Sequence, residues 1–198
     1  MLVLKGLKRY ITLLDKFKGK YRISSARLPG YDYSSNGAYF LTICTQNREH
    51  FFGEIINGKM RLSEIGEIVA NEWVKSPELR KNVELGEWVV MPNHFHGIVV
   101  INGANISHRR DVLTKRLCGY DGSHKKMSEI SPIPNSIPTI IRFFKRQTTI
   151  QSKKINPNFA WQPRFHDRII RNDHELQRIS AYISINVINW EKDANYNL

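Results

Sequence analysis

The chain has 198 residues, 41% of them hydrophobic and 24% charged, an ordinary balance for one globular domain with a real core. Its 30 Lys and Arg against 18 Asp and Glu leave a net charge of +12. That excess points to a polyanionic partner, nucleic acid first, with a basic ribosomal or membrane-surface protein still open on charge alone. The two cysteines, Cys44 and Cys118, exclude a disulfide framework and a four-thiolate zinc site, and favour a reducing compartment. No apolar run approaches a membrane span, and Lys5, Lys8 and Arg9 interrupt the start where a signal peptide would be apolar, so a cytoplasmic protein is expected.

In chain order, Val3, Leu7, Tyr10, Leu14 and Phe17 recur at helical spacing among basic residues, which reads as a basic N-terminal arm over 1–21. Turn formers and tyrosines follow to Gly37. Ala38 to Thr45 is β-branched and aromatic, a strand. Phe51 to Arg61 holds two short apolar pieces around Asn57-Gly58, a hairpin-turn dipeptide. Ser63 is placed to cap a helix from Glu64 to about Lys75, which Ser76-Pro77 punctuates. Val83 to Met91 resumes as a strand with so little spacer before the next that the two read as one long, bent strand.

That next stretch, Val89 to Ile101, is the composition of a strand buried on both faces, yet His94 and His96 interrupt it. Side chains alternate across a strand, so both imidazoles leave one face while Phe95 packs on the other. They stand about 6.7 Å apart along it, close enough to lean toward one cation. A pair hydrogen-bonded inside the core is the competing reading; ligand spacing beside Asn93 and Gly97 favours the metal. Gly97 would let another backbone or a ligand approach closely.

Residues 102–136 carry charges, Gly, Ser and Pro without periodicity and read as a loop insertion. Ile137 to about Gln151 is helical, with Ile137, Ile140, Ile141 and Phe144 on one face and Arg142, Lys145 and Arg146 on another. That basic stripe is either a solvated face or a contact for backbone phosphate. Trp161 to Arg171 reads as a last strand entered through Pro163. Asn172 or Asp173 then caps a helix running through Leu176, Ile179 and Ile183 to Trp190. In it Tyr182 and Asn186, four apart, stack on one face, where a purely structural helix would favour Leu or Ile.

The segment Met91-Pro-Asn-His94-Phe-His96-Gly97 resembles the His-hydrophobic-His motif of HUH-type single-tyrosine transposases, and the branch of REP-associated tyrosine transposase-like proteins in particular. Arg27 to Phe40, Leu41-Thr-Ile-Cys-Thr45, Trp161-Gln162, Phe165 to Arg171, and Tyr182-Ile-Ser-Ile-Asn186 with Trp190 are similar too, in the right order. The resemblance spans residues 22–190, leaving 191–198 as a tail.

It implies an α+β, ferredoxin-like sandwich: an antiparallel sheet with the His-x-His strand central and helices packed on one face. It further implies that Tyr182 is the nucleophile, that His94, His96 and Asn186 hold a divalent cation, Mg²⁺ or Mn²⁺, and that the reaction is cleavage and rejoining of hairpin-containing single-stranded DNA through a 5′-phosphotyrosine. Arg142, Lys145, Arg146, Arg164 and Arg168 are the candidate phosphate contacts. Palindromic repeats are the expected target, and either a monomer or a homodimer the acting species. One departure is Val187, where many relatives have Pro; Val lets the helix run on to Trp190. Two rivals remain: a catalytically silent DNA-hairpin-binding regulator, and a basic RNA-binding domain without metal dependence.

Overall fold

The computed structural model describes residues 16–17, 20–21, 28, 30–103 and 133–193. Two units result, 1–30 and 31–198. In the first, β1 (Lys16–Phe17) pairs antiparallel with β2 (Lys20–Tyr21), so Phe17, the last residue of the helical spacing noted in the arm, lies in a strand. The aromatic residues at 17 and 21 suit that pairing. Residues 1–15 of the arm, most of the 102–136 insertion (104–132) and residues 194–198 of the tail lie outside the described residues.

Four strands build the main sheet of the second unit. β3 (Gly37–Cys44), β6 (Val83–Met91), β7 (His94–Ile101) and β8 (His166–Ile170) lie in the order β6-β7-β3-β8, antiparallel throughout. The histidine strand is therefore an inner one, as expected. β4 (Gly53–Ile56) and β5 (Lys59–Leu62) form a separate hairpin. Asn57 and Gly58 at its tip both take positive φ, 51° and 71°, the backbone this two-residue turn needs.

Met91 pairs with His94 across the sheet, so Pro92-Asn93 is a tight turn between two antiparallel strands and not the bend of one long strand. Proline's locked φ and missing N–H suit the first turn position. The turn is held from outside: the Asn93 carbonyl accepts the Thr45 N–H at 2.9 Å and the Pro92 carbonyl that of Phe52 at 3.0 Å.

Alternation divides the sheet's faces. Tyr39, Leu41, Phe95 and Val99 pack against α1 (Glu64–Val74) and α3 (Ile137–Ile155), in the main core. The Ser63 side chain accepts the Gly66 N–H at 3.1 Å and starts α1, which buries Ile65, Val69 and Trp73. A short helical turn, α2 (Ser76–Leu79), follows where Pro77 stands at the helix start. The Trp73 ring lies 4.5 Å from that of Phe95, over Gly97, where an added Cβ would meet Trp73 Cζ2 at 2.6 Å. The missing side chain at Gly97 thus makes room for an indole, which fills the space expected for a ligand or another backbone.

The opposite face carries Phe40, Ile98 and Ile170, covered by α4 (Asp173–Ile185) through Leu176, Ile179 and Ile183. The α+β sandwich is as expected, but its helices divide: α1 and α3 pack together on one face of the sheet, and α4, expected with them, lies over the histidines on the other. The Asn172 side chain caps α4 by accepting the Glu175 N–H at 2.8 Å. The helix stops at Ile185, short of Trp190, even without a proline at 187. Its last turn tightens as the Asn186 N–H reaches Ile183, and a 3-10 turn, Trp190–Lys192, then buries the indole of Trp190. No helix among the described residues is long and apolar enough to cross a membrane.

Candidate active site

The face under α4 carries a row of side chains set by register: Val89, His96, Thr42 and His166, on β6, β7, β3 and β8 in turn. His94 and His96 are both fully enclosed, yet neither faces an acid on its own strand. Each ring is held from behind. His94 Nδ1 lies 2.9 Å from Asn93 Oδ1, an acceptor only, so that nitrogen carries the proton and Nε2 keeps its lone pair. His96 Nδ1 lies 2.9 Å from the Thr42 hydroxyl. The two Nε2 atoms then converge at 3.0 Å. Outer partners of this kind fix tautomer and aim in metal-binding histidines.

Burial holds both imidazoles neutral. His96 drops to about 4, mainly because the charged ring would lose water, with the Asp193 carboxylate pulling weakly the other way. His94 moves in the same direction for the same first reason, reinforced by repulsion from His96. Neutral imidazole is the ligating form.

From α4, Tyr182 points its hydroxyl end inward although 41% of the residue is exposed. The oxygen lies 3.3 Å from His96 Nε2 and donates to Asp193 Oδ2 at 3.1 Å. Burial first, then the charge and hydrogen bond of Asp193, push the phenol up to about 12. Phe40 braces the pair, its ring stacked 5.2 Å from His96 and edge-on to Tyr182 at 6.2 Å. One turn on, buried Asn186 donates from Nδ2 to the same Asp193 oxygen at 3.2 Å, while its Oδ1 has no hydrogen-bond partner. The ligand atoms of His94, His96 and Asp193 all lie within 4.8 Å of one another. Two neutral imidazoles and a carboxylate on one point are a donor set that fits a divalent cation, and the orphaned amide oxygen of Asn186 belongs to the residue hydrogen-bonded to that carboxylate.

The structure brings together Tyr182, His94, His96 and Asn186. The reading from sequence missed three contributors. Thr42 was reachable in principle, since it lies directly across from His96. Trp190 was noted as part of the resemblance, but not as the ring set 5.9 Å from that of His94. Asp193 had no signal of its own, being three residues past Trp190 in an irregular segment.

The basic candidates scatter. Arg168 lies on the site's face of the sheet, opposite Phe40 in register, with its side chain on Glu175. Arg164, at a positive φ of 69°, is exposed just before β8. Arg142 and Arg146 are exposed on α3, across the sheet from the histidines. Lys145 is occupied otherwise: its ammonium donates to the Gln162 carbonyl at 2.7 Å and the Arg164 carbonyl at 2.8 Å, and burial lowers it to about 8.

No family model matches the chain. Over 179 residues it is 35% identical to an uncharacterized protein of Haemophilus influenzae, covering 90% of this chain and 95% of that one. Among solved structures, a REP-associated tyrosine transposase bound to a REP hairpin is similar to it. That similarity has a TM-score of 0.53 at 20% identity, over 85% of this chain and 74% of the other.

Proposed function

Starting from a chain that belongs to one family with the Haemophilus influenzae protein and has the fold of a REP-associated tyrosine transposase, we propose that it cleaves and rejoins hairpin-containing single-stranded DNA through a 5′-phosphotyrosine on Tyr182. The observation that carries this reading is the Tyr182 hydroxyl 3.3 Å from the nitrogen of a buried, neutral histidine pair. A core histidine pair needs no phenol beside it, and a structural tyrosine needs no pair of imidazole nitrogens beside its hydroxyl.

His94 Nε2, His96 Nε2 and Asn186 Oδ1 would hold the cation, with the Asp193 carboxylate within reach. Bound there, Mg²⁺ or Mn²⁺ supplies charge to orient and polarise the scissile phosphate; imidazole donors lean toward Mn²⁺. The rest is this chain's own work. Asp193 Oδ2 already accepts the phenol's hydrogen bond and takes its proton as the oxygen attacks phosphorus. The Tyr182 O–P bond forms, the P–O3′ bond breaks, and the departing oxygen takes a proton from solvent, to which Asp193 releases its own, and leaves as a 3′-hydroxyl. The diester on Tyr182 keeps the energy of the broken linkage, so a 3′-hydroxyl can reverse the step and join strands without ATP. Phe40 and Thr42 hold His96 in place throughout.

A net charge of +12 supports a polyanionic substrate, and the REP hairpin held by the structural neighbour supports a hairpin. Arg142, Arg146, Arg164 and Arg168 are proposed to meet phosphates, whereas Lys145 serves by holding the segment that carries Arg164. The test is to incubate the protein with hairpin DNA bearing single-stranded flanks and Mn²⁺, then denature it. A covalent protein–DNA adduct that Tyr182→Phe cannot form supports the reading. Binding without an adduct in any divalent ion leaves a hairpin-binding regulator, and preference for RNA without metal an RNA-binding domain.

A further inference from the structure

Arg178 stands four residues before Tyr182 on α4, hence on the same face and one turn, about 5.4 Å, away. Arg168 reaches the same mouth from the sheet, as the cross-strand neighbour of Phe40, whose ring touches both His96 and Tyr182. One carboxylate joins them. Glu175 Oε1 accepts Arg168 Nε at 2.7 Å and Nη2 at 2.5 Å, and lies 3.9 Å from Arg178 Nη2. Its other oxygen accepts the Arg171 backbone N–H at 3.0 Å, and its own N–H is bound by the helix cap.

Exposure separates the partners: the Glu175 side chain is 12% exposed, each guanidinium-bearing side chain 60%. The acid is fixed from below while both cations open to solvent. Solvated ion pairs of this kind add little to stability, so folding alone gives weak reason for two arginines on one carboxylate. A guanidinium has five donors, and Arg168 spends two of its groups here, leaving others turned outward. The trio keeps a net positive charge.

We propose that Arg168 and Arg178, bridged by Glu175, form a phosphate subsite for the single strand running past Tyr182, an inference that rests on the DNA-processing reading above. Phosphates repeat at about 3.4 Å of rise per nucleotide in a stacked strand, and farther apart when it is extended. Glu175, on which both guanidiniums converge, stands seven residues, about 10.5 Å of helix, before Tyr182, so the site meets a phosphate about one to three nucleotides from the scissile one. Glu175 is a positioning residue: it keeps two like charges side by side that would otherwise splay.

The experiment uses the full chain carrying Tyr182→Phe, in chelator, so that binding is read without chemistry or metal. Two DNAs are compared by fluorescence anisotropy between 50 and 200 mM salt: a hairpin with single-stranded flanks, and the same hairpin blunt. Adding Arg178→Ala weakens the flanked hairpin about tenfold and lowers its salt slope by about 0.7, one single-strand phosphate. The blunt hairpin is unaffected, and Arg178→Lys restores the slope. Equal loss on both DNAs assigns the contact to the duplex stem and overturns the proposal, as does an unchanged slope on the flanked one. Failure of the chemistry itself, an absent adduct with Tyr182 intact, leaves this readout untouched.

Discussion

The Tyr182 hydroxyl and His96 Nε2, 86 positions apart in the chain, lie 3.3 Å apart in the fold. Two unrelated periodicities bring them there: alternation along β7 aims the imidazole at one face, and the four-residue step of α4 sets the phenol over it. The contact requires α4 to cover the histidine side of the sheet, which its small apolar stripe does.

Removing one imidazole tests the cation site directly. His96→Ala is expected to weaken Mn²⁺ binding, measured by titration calorimetry, by at least about tenfold, the scale on which even outer partners of ligands act. Unchanged affinity would place the ion elsewhere.

Acidity should act on the metal-free fold through the same pair. Both histidines have depressed pKa values when folded, so above pH 6.5 they are neutral in either state and contribute no pH dependence. Below 6.5 the unfolded chain takes up protons that the fold refuses. Stability then falls until His96 itself titrates near 4, with His94 extending the fall lower. The slope is at most about 1.4 kcal/mol per pH unit for each ring. Urea midpoints at pH 7 and pH 5, in chelator, will show it; a His94→Gln/His96→Gln double variant will lack it.

Asp193→Asn removes the charge that opposes ionisation of Tyr182. The phenol's pKa is expected to fall from about 12 toward 10, stopping between them because burial remains. Titration of ¹³Cζ-labelled tyrosine by NMR reads this, and an unmoved value would mean that Asp193 does not face the phenol in solution.

Gly97→Ala drives a methyl into Trp73 Cζ2 at 2.6 Å and Phe95 Cε1 at 2.8 Å. Both rings are fully enclosed and have nowhere to go. A loss of about 1–3 kcal/mol is expected, some 2–4 °C of melting temperature per kcal/mol, by calorimetry.

Lys145→Met cuts two carbonyl contacts that hold Gln162 and Arg164. Stability should drop by about 1–2 kcal/mol by denaturant titration, since bonds to a charged donor are involved. Affinity for DNA at a temperature where both proteins are folded should change less than for Arg164→Ala.

Much of this architecture is legible in the amino-acid sequence. Ser63 and Asn172 mark helix starts because short polar side chains satisfy N–H groups that a helix leaves open, and both do so here. Asn57-Gly58 marks a hairpin because few residues tolerate its backbone. The alternation around Phe95 separates core from site without reference to any fold. What escaped depends on distant partners. Pro92-Asn93 is a turn and not a bend because β6 and β7 pair, and pairing leaves no local trace. α4 ends at Ile185 and Trp190 turns onto His94, which Val187 alone could not reveal. Asp193 is a functional candidate only because that turn delivers it.

The unequal cores on the two sides of the sheet have a consequence for how the molecule comes apart. α1 and α3 are locked by the interleaved rings of Trp73, Phe95, Phe144 and Trp161, whereas α4 grips the sheet mainly through Ile179, Ile183 and Leu176. Warming will therefore loosen the tyrosine's helix before the strands that bear the imidazoles, and amide exchange will run fastest there. On the proposed reading the molecule will lose Tyr182, and Asn186 with it, while the two imidazoles stay in place, so inactivation will come earlier than melting.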